Sequence, residues 1–208
     1  MLGTKVIEEV RSALNGKIEV VKSVGFGTYI KVEGLTQSGG VVYEVWQSTL
    51  KKVKGKKLDI QRSLILGLGG GSAAKLVKKY WREAKITGVD IDPVMVRLGE
   101  KYLDLKDVEI RVEDAEKFIG REVAAGTKYD LILIDMYIGD TVPEKFQSDK
   151  FIKTIHTMLG QGGVAIFNRL YFGEKRSEAV KFGNKLEKAF LNVEYVYPEA
   201  NLMFVCLK

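Results

Sequence analysis

The sequence predicts an α/β fold: a doubly wound, mostly parallel seven-stranded sheet with an antiparallel C-terminal β-hairpin, preceded by a small N-terminal β element. Three observations carry that prediction. In Ser63–Pro93 an apolar run (Leu64–Leu66) meets the turn Gly67-x-Gly69-Gly70-Gly71, a helical pattern follows, and a second apolar run, Ile86–Val89, ends on Asp90. That is the order of a Rossmann-like nucleotide-binding βαβ unit. Tyr129–Ile134 is almost continuously apolar and ends on Asp135, as expected of a central strand buried on both faces. Strand and helix patterns then alternate until two β-runs, NVEYVYP and LMFVCLK, close the chain.

The individual elements follow from periodicity and punctuation. Val6, Ile7, Val10 and Leu14 predict a short amphipathic helix over residues 4–14, closed by Asn15–Gly16. Ile18–Ser23, Gly27–Glu33 and Val41–Trp46 read as short β-runs broken by Gly25, Gly34 and Gly39–Gly40, with residues 48–57 as a connector. The chain is thus expected to divide into an N-terminal unit, residues 1–57, and a Rossmann-like domain, residues 58–208. A helix begins at Pro93, where the missing amide hydrogen costs no intrahelical bond. Val108–Val112 is the next strand, followed by Glu113–Asp114 and a short helix to Ile119. After the loop MYIGDTVPEKF come a helix over 149–159, a strand VAIFN opened by Gly162–Gly163, and a helix over 174–190.

Composition narrows the function classes. Apolar residues make up 46% and charged residues 29%, and charged residues interrupt every apolar run before membrane-spanning length. The first residues lack an apolar signal core, and the lone Cys206 suits a reducing compartment, so a cytoplasmic location is expected. The net charge of +6 comes mainly from dispersed lysines; the cluster Lys51, Lys52, Lys54, Lys56 and Lys57 has no interleaved aromatics and reads as a solvated loop, not a nucleic-acid surface. With one Cys, one His and no ligand-spaced acids, no metal site is expected, and His156 reads as structural.

The groups able to do chemistry fall at successive strand ends: the glycine turn, Asp90, Asp114 and Asp135. Asp92 before Pro93 has the position of a helix N-cap, and Asp114 also suits one. Ser72 and Ala73 stand where the wider dinucleotide spacing would continue, so the turn suits a nucleoside without a pyrophosphate better than NAD. Asp90 and Asp135 together weigh against a non-catalytic module serving dimerisation or partner binding.

These residues carry a resemblance. Gly67-x-Gly69-Gly70-Gly71, VDID at 89–92, EDA at 113–115 and YDLILID at 129–135 resemble the class I S-adenosylmethionine (SAM) fold. GTYIKVEGLTQ…YEVW, the absence of an acid before the glycines, and DMYIGDTVP resemble its spermidine synthase (polyamine aminopropyltransferase) branch. The resemblance implies that 58–208 binds SAM and carries the catalytic site. Gly67, Gly69, Gly70 and Gly71 would face the methionine part, Asp90 and Ile91 the ribose end, and Asp114 with Ala115 the adenine. Asp135 would orient or deprotonate an attacking amine, with Tyr137 lining the acceptor pocket. A homodimer is also implied.

The departures point away from polyamines. The synthases carry Asp where this chain has Gly70, His in a Tyr–His–Glu motif where it has Tyr43–Glu44–Val45, and a second acid where it has Ile138; Asp140 lies two residues further on as a substitute. Fewer carboxylates suit neither a polycationic acceptor nor the cationic decarboxylated cofactor. The expected reaction is therefore methyl transfer from SAM to a small-molecule acceptor such as an amine. Aminopropyl transfer from decarboxylated SAM is the alternative. Tyr43 and Trp46 are expected to pack onto the core, with covering of the cofactor as the alternative, and Asn168–Arg169 to serve as a cap or surface pair, with reach into the acceptor site as the alternative.

Overall fold

The computed structural model describes residues 3–208. Four strands come first, β1 (Thr4–Ser12), β2 (Gly16–Ser23), β3 (Gly27–Val32) and β4 (Leu35–Gly39), joined as an antiparallel meander. Helix α1 (Gly40–Lys54) leads to the main sheet. There, β5 (Arg62–Leu66), α2 (Ser72–Tyr80), β6 (Lys85–Asp90), α3 (Pro93–Tyr102), β7 (Glu109–Val112), α4 (Ala115–Ala124) and β8 (Tyr129–Ile134) follow in turn. A single 3-10 turn (Glu144–Gln147), α5 (Asp149–Met158), β9 (Leu159–Leu170), α6 (Lys175–Ala189), β10 (Asn192–Val196) and β11 (Asn201–Leu207) complete the chain.

The large sheet has seven strands in the order β10-β11-β9-β8-β5-β6-β7. Strands β5 to β9 pair in parallel, and β11 and β10 add an antiparallel edge. The chain winds outward from β5 through β6 to β7, then returns to place β8 on the other side of β5. The carboxyl ends of β5 and β8 are therefore the switch point at which open α/β sheets bind ligands.

Burial on both faces explains the near-continuous apolar strands. β8 sends Ile132 and Ile134 into the layer of α4, α5 and α6, and Leu131 and Leu133 into the layer of α1 and α2. Leu64, Leu66 and Ile65 of β5 divide in the same way.

Two expectations for the N-terminal unit are corrected. Residues 4–12 form a strand, not the start of a helix. Val6, Val10 and Leu14 are four apart, a spacing that suits a helix, but Val6 and Val10 lie in the strand and Leu14 in the turn that follows it. The register of β1 on β2 shifts between Val6 and Glu8, so Ile7 is the bulged residue that disguised the alternation. Residues 41–46 are helical and 48–54 continue the same helix, where a strand and a connector were expected. Val45, Trp46, Thr49, Leu50 and Val53 form its buried stripe, so the period set by the later residues prevails over the β-branched start. That stripe shares a core with Ile65, Leu76 and Leu131 of the large sheet's layer. Lys51, Lys52 and Lys54 occupy its last turn, where cations complement the helix dipole.

The meander is seated by a third core, in which Ile18, Val20, Ile30 and Val32 pack on Met95 and Leu98 of α3. A polar latch fixes its position. Asp92, only 1% exposed, accepts hydrogen bonds from Ser12 Oγ (2.5 Å), Asn15 Nδ2 (2.6 Å) and Val94 N (2.8 Å). It caps α3 and holds the β1–β2 turn with the same carboxylate. We expect Asp92→Ala to lose about 2–4 kcal/mol in urea unfolding, from a lost cap and unpaired partners. A loss below about 0.5 kcal/mol, the range of ordinary surface substitutions, would show that the latch is incidental.

Candidate active site

The site begins where β5 ends. Gly67 turns with φ +83°, and a Cβ placed on it would lie 2.1 Å from the backbone oxygen of Asp135. The turn can pass the end of β8 only as bare backbone. Asp135 N donates to Leu66 O at 2.8 Å, and Gly67 N and Leu68 N both donate to Val89 O, so three strand ends are tied together. Gly71 is the N-cap of α2.

Asp90 ends β6 and accepts from Gly69 N at 2.7 Å and Asp92 N at 2.9 Å. Burial pushes its carboxyl above the ordinary range, against the pull of those amide donors. Each oxygen retains a lone pair able to accept a hydroxyl. Asp114, at the end of β7, is the N-cap of α4 and accepts from Glu116 N at 2.7 Å. Lys145 Nζ lies 2.9 Å from its other oxygen. Burial alone would raise this carboxyl, but Lys145 and the backbone donors hold it below the ordinary value.

Asp135 stands at the end of β8, open to the cavity on one side and enclosed elsewhere. Trp46 Nε1 donates to Oδ2 at 2.9 Å and Asn168 Nδ2 to Oδ1 at 2.8 Å. Asn168 is itself oriented by Asn201 Nδ2, 2.8 Å from its Oδ1. Burial raises the carboxyl of Asp135, and the donors Trp46 and Asn168 and the charge of Arg169 oppose that rise. Tyr137 accepts from Leu170 N at 2.8 Å through its hydroxyl, which fixes its ring beside the cavity.

Gly67, Gly69, Asp90, Ile91, Asp114, Ala115, Asp135 and Tyr137 thus line one cavity of about 260 Å³. Gly70, Gly71 and Asp140 do not. Asp140 is half-exposed and 3.6 Å from Lys175. Gly70 faces the meander: its N donates to Ser38 Oγ, and a Cβ there would meet Leu103 Cδ1 at 2.8 Å and Ile30 Cδ1 and Ser38 Cβ at 2.9 Å. A carboxylate at this position meets those side chains before it meets any ligand.

Sequence reasoning gave several groups the lesser of their two readings and missed others. Asn168 and Arg169, expected as a cap or surface pair, are each 5% exposed. The available signal was an amide and a cation ending an apolar strand. Trp46, expected to pack onto the core with covering of the cofactor as the alternative, does pack and also donates to Asp135. Gln37 and Ser38 of β4 line the cavity as well, and nothing in their sequence context marked them.

The arrangement fits a nucleoside-bearing cofactor. Gly67 and Gly69 offer bare backbone along one wall, and carboxylates stand at the ends of the adjacent strands β6 and β7. Comparison with known proteins bears on the fold. The methyltransferase domain family matches residues 64–163. A polyamine aminopropyltransferase of Vibrio vulnificus is 31% identical over 131 residues, 59% of this chain and 44% of that protein. An eEF1A lysine and N-terminal methyltransferase homolog of Drosophila melanogaster is 29% identical over 149 residues, 66% of this chain and 22% of that protein. This chain spans less than half the length of either relative. Among solved structures, a probable spermidine synthase of Corynebacterium glutamicum superposes with a TM-score of 0.76 at 20% identity, covering 100% of this chain and 80% of that one.

The likeness to a methyltransferase domain lies in residues 64–163, and the chain as a whole has the class I methyltransferase fold in its spermidine-synthase-like form.

Two outcomes test the geometry. Gly67→Ala should cost more than about 3 kcal/mol of stability, since strained backbone and a backbone clash add. Gly70→Asp should cost about 1–3 kcal/mol by overpacking and leave any preference between SAM and decarboxylated SAM unchanged in calorimetry. A switch of preference would show that this position reaches the ligand.

Proposed function

We propose that the chain transfers the methyl group of SAM to an amine, with Asp135 orienting the nucleophile and taking its proton. One observation carries this reading: the other acids lining the cavity, Asp90, Glu113 and Asp114, lie at the β6 and β7 ends, leaving Asp135 as the single lining carboxylate at the β8 end among the described residues. Around it stand Trp46, Met136, Tyr137 and Ile138. Such a wall suits one amine. A polyamine, with a cation every few bonds, requires more carboxylates than this wall supplies, and Asp140 is directed to Lys175.

Asp90 would hold the ribose hydroxyls and Asp114 the adenine amino group, with Ile91 and Ala115 beside the nucleoside and Gly67 and Gly69 along the methionine part. When bound, SAM supplies a sulfonium methyl already activated towards nucleophiles. The protein's task is then alignment and proton removal. Trp46 and Asn168 direct the two oxygens of Asp135, and its elevated pKa makes the carboxylate a stronger base than an exposed one. Aminopropyl transfer is the second reading, supported by the names of the synthase-like relatives.

Calorimetry with SAM and decarboxylated SAM side by side separates the two. Tighter binding of SAM is expected, and clear preference for the decarboxylated form would favour the aminopropyl reading. Screening labelled SAM against small primary amines and lysine peptides should then identify the acceptor class. With that acceptor, Asp135→Asn should lower kcat about 100-fold or more while changing SAM affinity only a few-fold. The active form of Asp135 is ionised, so the rate should rise with pH through a midpoint above the ordinary aspartate value of about 4. A rate independent of pH from about 4 to 8 would count against a proton-accepting role.

A further inference from the structure

Arg169 is a buried cation with no salt bridge among the described residues to neutralise it. Its Nη1 donates to Asn168 O at 2.7 Å, and its guanidinium lies 3.8 Å from the ring centroid of Phe182. Nε and Nη2 have no hydrogen-bond partner among those residues. Burial lowers its pKa to about 10, which still leaves it charged at neutral pH. A buried guanidinium with two unmatched donors is retained against a penalty, and some negative charge must offset it.

Two groups would favour it when ionised, Tyr137 and Asp135, and burial keeps the Tyr137 phenol neutral, so Asp135 is the one that can supply the charge. Asp135 has the complementary deficit, being an enclosed carboxylate whose hydrogen-bond donors, Trp46 and Asn168, are both neutral. One residue joins the two. The Asn168 carbonyl accepts from Arg169 Nη1 and, at 3.4 Å, from Tyr137 Oη, while its side-chain amide donates to Asp135 Oδ1. The cation lies in the α6 layer against Phe182, and the carboxylate meets Trp46 from the α1 layer, so they bracket the end of β9. The groups facing Asp135 are Trp46 from α1, Asn168 and Arg169 from β9, and Tyr137 from its own loop, with Asp140 beyond Tyr137.

We propose that Arg169 is a positioning residue for Asp135: from the far side of β9 its guanidinium keeps the carboxylate ionised and holds the Asn168 backbone from which that carboxylate is aimed. This rests on the reading of Asp135 as the amine's partner. It assigns the C-terminal end of β9 a function that extends beyond packing, and it accounts for an arginine where the sheet otherwise buries Phe167 and Ile166.

The test needs no acceptor. Side-chain carboxyl resonances of aspartate-labelled, ligand-free protein are followed with pH, and Asp135 is assigned as the signal missing in Asp135→Asn. In Arg169→Met the Asp135 midpoint should move up by about one pH unit or more. In Arg169→Lys, which keeps the charge, it should remain near wild type, and Asp90 should titrate unchanged in both. By reciprocity, Asp135→Asn should lower the midpoint of the Arg169 guanidinium carbon, a measurement that stands even if Arg169→Met does not fold. An unmoved Asp135 midpoint in folded Arg169→Met, or an unmoved Arg169 midpoint in Asp135→Asn, overturns the inference. With the acceptor in hand, the acid limb of kcat should follow the Asp135 midpoint while the KM for SAM stays constant. Full turnover by Asp135→Asn would defeat the amine reading separately.

Discussion

Everything in this molecule that bears on chemistry depends on one close approach. At the ends of β5 and β8 the Gly67 backbone passes the Asp135 carbonyl at a distance that excludes even a methyl group. The turn that would lie against a cofactor and the residue assigned to the acceptor are therefore one packed unit, not two loops that happen to be neighbours. The reversal of strand order at β5 creates the crevice, and the missing Cβ lets the turn pass close to the end of β8. Backbone bonds from Asp135 to Leu66 and from Gly67 to Val89 extend this unit across three strands.

Around that crossing, carboxylates serve as joints. Asp90 ties the glycine turn to the start of α3, Asp92 ties α3 to the β1–β2 turn, and Asp114 ties α4 to Lys145. Each has partners on a different element, so what looks in sequence like a series of N-caps is in space the framing of a cavity. Capping and ligand binding are compatible here because a carboxylate has more lone pairs than a helix start requires.

Much of this was legible in the sequence. Strands buried on both faces announce themselves as continuous apolar runs, and a glycine turn followed one strand later by Asp90 marks a nucleotide-binding βαβ unit. Legibility failed where a local pattern fitted two structures or where the partner was remote. The Ile7 bulge broke the alternation of β1, so a strand presented helical spacing. Val41–Trp46 has β-type composition, and only the buried positions at Thr49, Leu50 and Val53 reveal the helix. Trp46 and Asp135 are 89 residues apart, and Asn168 and Asp135 are 33 apart. No periodicity links such pairs; only the folded sheet does. Gly70 illustrates the opposite error, since a motif position was read as facing the ligand while its missing side chain would point into Ile30 and Leu103.

The Asp92 latch also bears on how the cavity comes into being. Ser12 and Asn15 reach their partner across 80 and 77 residues, so these bonds close a long loop and carry its closure entropy. Leu14 and Asn15 contribute to the cavity wall. That corner of the pocket is thus completed by residues far in sequence from the strand ends that form the rest of its wall.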